Sequence, residues 1–214
     1  MTSNRFDVVF YYQPGIPWDE ADMSEDMGTG TAMEPFNTFS ELRREHDFAQ
    51  PLLAHLAQLR ERLVQGPPPS LREVHIGVAL LDVYLHRVHV HQEDREVFPE
   101  AMYSMPGSCR SEVRYILEAH GEMQERSKRL LTHLHQWDTT DVVARHHLGE
   151  ELNLLLERDR RMLSWEDAHT LGCVQAAVTW SVRQAFDDRI AAHQQTLRAV
   201  QGRITRYLNG TYST

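Results

Sequence analysis

Four stretches of the chain place apolar residues at the three- and four-residue intervals of a helix face, and each interrupts its stripe with a histidine where leucine would be expected. The first runs Leu42, His46, Ala49, Leu53 and Leu56, opened by a capping pattern at Thr38 and Glu41 and closed by Gly66-Pro67-Pro68-Pro69-Ser70. Ser70 and Glu73 repeat the capping pattern before Val74, Val78, Leu81, Leu85, His89, Glu93 and Val97, which end near Met105-Pro106-Gly107. A third stripe holds Val113, Ile116, His120, Met123, Leu130 and Leu134 and stops before Trp137-Asp138-Thr139-Thr140; a fourth holds Val143, His147, Glu151 and Leu155. Helices over about 38–65 and 71–103 and two more after them, joined by short connections, predict an all-α, up-down-up-down antiparallel four-helix bundle. A fifth helix, about 166–208, carries Phe186, Ile190, His193, Leu197, Val200 and Ile204 and is expected to pack on the bundle or on a second copy as a homodimer.

The resulting division is an irregular acidic segment at 1–35, a bundle at 36–163 and the C-terminal helix at 164–214. Seven acids against Arg5 give the first segment a charge of −6 out of −9 for the 214 residues, so the body is nearly balanced and nucleic acid is not expected as a partner. The apolar run Val8–Tyr12 is too short for a signal peptide or membrane span, so a cytoplasmic protein without a membrane partner is expected. Cys109 and Cys173 are far apart and form no CxxC, so neither a disulfide framework nor a zinc ribbon is expected.

The polar residues within the stripes carry the chemistry. His89 with Glu93, and His147 with Glu151, lie one turn apart on one helix face and can reach a common ion. At ~1.5 Å per residue His46 and His89 both lie roughly 27 Å from the first turn, and Glu93 and His120 are level to roughly 2 Å about the second. About the third turn His120 and the His147/Glu151 pair miss each other by roughly 8 Å. His146 and Glu150 have the same spacing and are the alternative pair; Val143 and Leu155 favour His147 and Glu151. No Lys or Arg occupies the stripes to neutralise two inward carboxylates, which would cost several kcal/mol each if buried alone. Six converging imidazole and carboxylate groups suit iron or manganese, and exceed what one ion with an open position takes. His86 shares the face of His89 and is either a seventh ligand or a partner of a ligand, and His75 can join only if the helix breaks at Gly77.

The order His46, His89-x-x-x-Glu93 before Val97-Phe98-Pro99, Glu118-x-His120 and His147-x-x-x-Glu151 resembles a hemerythrin-like (HHE cation-binding) domain over residues 38–160. The resemblance implies a non-haem site of two iron ions with a bridging oxo or hydroxo group, bridged by Glu93 and Glu151, with four terminal histidines and a vacant position for dioxygen, peroxide or nitric oxide. Oxygen carriers of that family have a further histidine one turn before the helix-3 ligand; here the position is Ile116. That more anionic set implies an oxidoreductase activating dioxygen or peroxide on a small-molecule substrate. The alternative is a binding protein that senses, stores or detoxifies dioxygen, nitric oxide or iron. Tyr11, Tyr12, Trp18, Trp165 and Trp180 are candidate walls of a substrate pocket, with the N-terminal segment as a lid; the alternative is a solvated acidic tail and a C-terminal helix that makes a dimer. No paired Glu-x-x-His occurs within the expected bundle, since Glu166-x-x-His169 falls beyond it.

Overall fold

The first helix, α1 (Thr38–Gln65), starts one residue earlier in its capping than its sequence suggests. Asn37, not Thr38, accepts the free amides of Phe39 (3.1 Å) and Ser40 (3.3 Å). Thr38 instead donates its amide (2.8 Å) and hydroxyl (2.7 Å) to Asp187, far along the chain. The computed structural model describes residues 37–134 and 141–210, all within one compact unit. The acidic segment 1–35 with Tyr11, Tyr12 and Trp18, the turn at Trp137 and the side chain of Trp180 lie outside the described residues.

Helix α2 spans residues 71–101, with Ser70 capping the Glu73 amide at 3.0 Å as its spacing predicts. Helix α3 is Gly107–Leu134, and α4 begins as Val142–Trp165 under the cap of Asp141. The described residues are helical, with no strand among them. Helix α1 packs along α4, α4 on α3, α3 on α2 and α2 on α1, closing a ring of four antiparallel helices around Leu42, Leu53, Leu56, Val78, Leu85, Val113, Ile116, Leu152 and Leu155.

The fourth helix does not end near residue 163. It passes through a wide π-helical turn, Glu166–Thr170, into Leu171–Ala177, and only the extended Val178 breaks it (φ −84°, ψ 136°). The predicted fifth helix is therefore shorter: α5 is Trp180–Leu208. Its stripe of Phe186, Ile190, Leu197 and Ile204 is buried against α1 and α2 of its own chain. Tyr207 approaches Gly77 so closely that a Cβ there would lie 2.6 Å from its hydroxyl and 2.7 Å from Leu56, which is why the position is glycine. No helix among the described residues is long and apolar enough to cross a membrane.

The cysteines depart from expectation. Cys109 in the first turns of α3 and Cys173 in the continuation of α4 form a disulfide across 64 residues, with Cα atoms 5.7 Å apart. Spacing hides this pair because both helices must first be in place.

Candidate metal centre

Three helices each turn one imidazole inward, and an acid on a neighbouring helix fixes each ring. His46 on α1 directs Nδ1 to Asp167 at 2.8 Å, His89 on α2 directs Nδ1 to Glu45 at 2.7 Å, and His120 on α3 directs Nδ1 to Asp94 at 2.7 Å. Nδ1 of each ring faces a carboxylate, which turns its Nε2 toward the cluster. His46 and His89 bring theirs to 2.9 Å. Two lone pairs at that distance repel unless a cation lies between them. Cis donors at about 2.1 Å from an octahedral ion are about 3.0 Å apart, close to what is found.

Two buried carboxylates complete the cluster. Glu93 places Oε2 3.5 Å from His89 and 3.7 Å from His120, and Glu166 places Oε1 3.0 Å from His120 and Oε2 3.5 Å from His46. Both oxygens of Glu93 and Oε2 of Glu166 are buried without a hydrogen-bond partner. Burial and the neighbouring Glu166 charge push the Glu93 carboxyl well above its ordinary range, whereas Glu166 is drawn down against its burial by His120, His46 and His89. Burial and the His46 charge likewise hold His89 well below its ordinary value. His120 rises to about 9, because Glu166 and Asp94 more than offset its burial. Burial pushes Glu45 up to about 8. Such strained protonation is the electrostatic mark of a site that can take a cation.

The buried group His46, His89, Glu93 and Glu166, whose donor atoms lie within 4.8 Å of one another, can hold a metal ion. With His120 the donors number three nitrogens and two oxygens, without a thiolate, which suits iron or manganese better than structural zinc.

Wide turns set this geometry. His89 closes one π-helical segment (Asp82–His89), and Glu93 and Glu166 open two more (Glu93–Val97 and Glu166–Thr170). In each the amide bond reaches back five residues: Val90 to Leu85, Phe98 to Glu93 and Leu171 to Glu166. Pro99 supplies a local cause for the second, because it has no amide to donate and its ring crowds the carbonyl four residues earlier.

Of the residues expected from sequence, His46, His89, Glu93 and His120 come together, and His147 and Glu151 do not. His147 is exposed, and Glu151 is partly exposed and paired with Arg126 at 3.5 Å. His146 and Glu150 are exposed as well. The buried face of α4 is Leu148, Leu152, Leu155, Asp159, Met162 and Glu166, so Val143, His147 and Glu151 mark the wrong face. The inward carboxylate of α4 is Glu166 in place of the expected Glu151, 15 residues or about 22 Å farther along the helix.

The missed signal was the stripe continued past Leu155. Pairing of Glu122 with Arg158 sets the α3–α4 register, and helical side chains lean toward their own N-termini, so in antiparallel helices Glu166 and His120 lean together. His169, its Glu-x-x-His partner, is exposed against Trp165, which is itself exposed and lines a small hollow with Tyr115 and Arg161. His86 is buried away from the cluster, with Nε2 3.2 Å from Asp159 and Nδ1 3.6 Å from Asp82. His75 is not among the converging residues.

No protein-family model matches the chain, and searches of curated proteins and of solved structures find no match.

Proposed function

We propose that the cluster binds two iron ions and that the protein is a hemerythrin-like oxidoreductase whose oxidant is dioxygen or peroxide. The observation that carries the reading is the Glu166 carboxylate, whose oxygens address different histidines, Oε1 His120 and Oε2 His46. A carboxylate serving two sets of donors is what a dinuclear site requires. The sets are unequal: His46 and His89 on one side, His120 alone on the other, with Glu93 between His89 and His120. The poorer side leaves room for an exogenous ligand. Iron bound here would supply one-electron redox chemistry toward a small oxidant.

The chain's own groups set the conditions for that chemistry. Glu45, Asp94 and Asp167 hold the Nδ1 protons, fix the ring orientations and make the imidazoles stronger donors. Two carboxylates against three imidazoles favour the ferric state over reversible release of dioxygen. Burial of His46, His89, Glu93, His120 and Glu166 excludes bulk water and reductant. The same burial favours a second reading, a binding protein for dioxygen or nitric oxide, since a diatomic reaches such a site more easily than an organic substrate does.

Stopped-flow mixing of the anaerobically iron-loaded protein with peroxide separates the two. The oxidoreductase consumes peroxide over many turnovers when a reductant is present. Stoichiometric, reversible binding without consumption replaces it with the second reading.

A further inference from the structure

Beside the metal cluster, a cavity of about 360 Å³ lies between α2 and α3. Its charged rim is Arg87, Arg95 and Lys128 with Asp82 and Asp94, and Gln124, the exposed His91 and the buried His86 complete it. Both carboxylates are already engaged. Asp82 accepts from Arg87 Nε at 2.6 Å and faces His86, and Asp94 is held by His120 at 2.7 Å. The cations are not matched in the same way. Arg95 makes no hydrogen bond or ion pair with the described residues, and Lys128 pairs with Glu125 alone, where both side chains are roughly two-thirds exposed and water competes. In a chain of net charge −9, this is a concave, locally positive place.

We propose that the cavity binds a small oxyanion, a short dicarboxylate or a phosphate, held by Arg95, Lys128 and the outer face of Arg87. Guanidinium forks and an ammonium suit the planar or tetrahedral oxygens of such a ligand, and Gln124 adds a polar wall. Inorganic cations are disfavoured because no carboxylate there is unpaired. Position gives the site a purpose that rests on the iron reading: the cavity reaches Asp94, one hydrogen bond from His120, so an anionic substrate or reductant held there lies beside the centre without entering its buried interior.

The test uses the full-length chain as purified, its metal content measured on the same sample, titrated calorimetrically at low ionic strength with sodium succinate and separately with inorganic phosphate. Saturable one-site binding of either supports the proposal; succinate alone assigns a dicarboxylate, and phosphate alone a phosphoryl or inorganic ligand. The double substitution Arg95→Ala with Lys128→Ala weakens binding at least about tenfold, and Arg129→Ala, exposed in the groove between α3 and α4, leaves it unchanged. Both substituted side chains are exposed, so the fold survives. Absence of saturable binding for both ligands, or equal affinity in the double variant, overturns the proposal whatever the metal content.

Discussion

Replacing Glu45 by alanine removes the acid that holds Nδ1 of His89, and the structure ranks this loss against its two counterparts. The three Nδ1–carboxylate bonds are equal in length, 2.7, 2.7 and 2.8 Å for Glu45, Asp94 and Asp167. Their surroundings differ: the Glu45 side chain is 2% exposed, Asp94 25% and Asp167 40%. Water can replace the lost acceptor at Asp167, partly at Asp94 and not at Glu45, where Gln194 also loses its 3.4 Å bond to the carboxylate. Removal of such a partner costs about 10–100-fold in metal affinity, or about 1.4–2.8 kcal/mol. Glu45→Ala is expected at the upper end, Asp167→Ala at the lower end and Asp94→Ala between them. Glu45→Gln, which keeps an acceptor for the Nδ1 proton, loses less than Glu45→Ala. The assay is anaerobic competition for ferrous iron with a chromophoric chelator, with circular dichroism to confirm the fold and the exposed Asp47→Ala as control. Equal losses in all three variants, or a Glu45→Ala protein that binds iron like the control, would refute the assignment of these acids to the histidines.

Glu166→Ala should abolish loading of at least one ion while Glu151→Ala, on the outer face, leaves loading intact; the reverse result would place the α4 ligand where the sequence pattern first put it. Asp159 and Asp82 hold His86 up to about 9 against the lowering effect of burial, so its contribution is full below about 6.5 and is lost as pH rises through about 9. Urea melts at both pH values should show the wild type losing stability across that window by more than Asp159→Asn does, and parallel slopes would remove His86 from the account. Closure of a 64-residue span by Cys109 and Cys173 restricts the unfolded chain, so reduction or Cys173→Ser should lower stability by about 2–4 kcal/mol. Urea melts with and without a dithiol read this directly, and two free thiols in the purified, unreduced protein would contradict the bridge.

The bundle was legible because its apolar periodicity is strong and its breaks are chemically plain: Gly66 through Ser70 leave no choice about where α1 ends. His46, His89, Glu93 and His120 were legible for the same reason, since inward polar residues on stripes whose heights agree must meet. Helix α4 failed on face and on length together. His147-x-x-x-Glu151 has ligand spacing, but spacing carries no information about which side of a helix is buried, and the roughly 8 Å disagreement in height was the visible symptom. Continuation through Glu166–Thr170 was hidden because a π-helical turn shifts the helical period within a few residues, so a stripe read at constant period loses its place there. Glu45, Asp94 and Asp167 each sit next to a ligand in sequence, yet they hold rings that the backbone alone does not orient. Their roles emerge only when the helices are packed.

The number of ions the buried cluster holds decides whether the centre is dinuclear. Protein loaded anaerobically with excess ferrous iron, desalted and analysed by elemental mass spectrometry against amino-acid analysis should carry two irons per chain, falling to one or none in Glu166→Ala. One iron per chain at saturation would contradict the dinuclear reading, and none would contradict the metal centre itself.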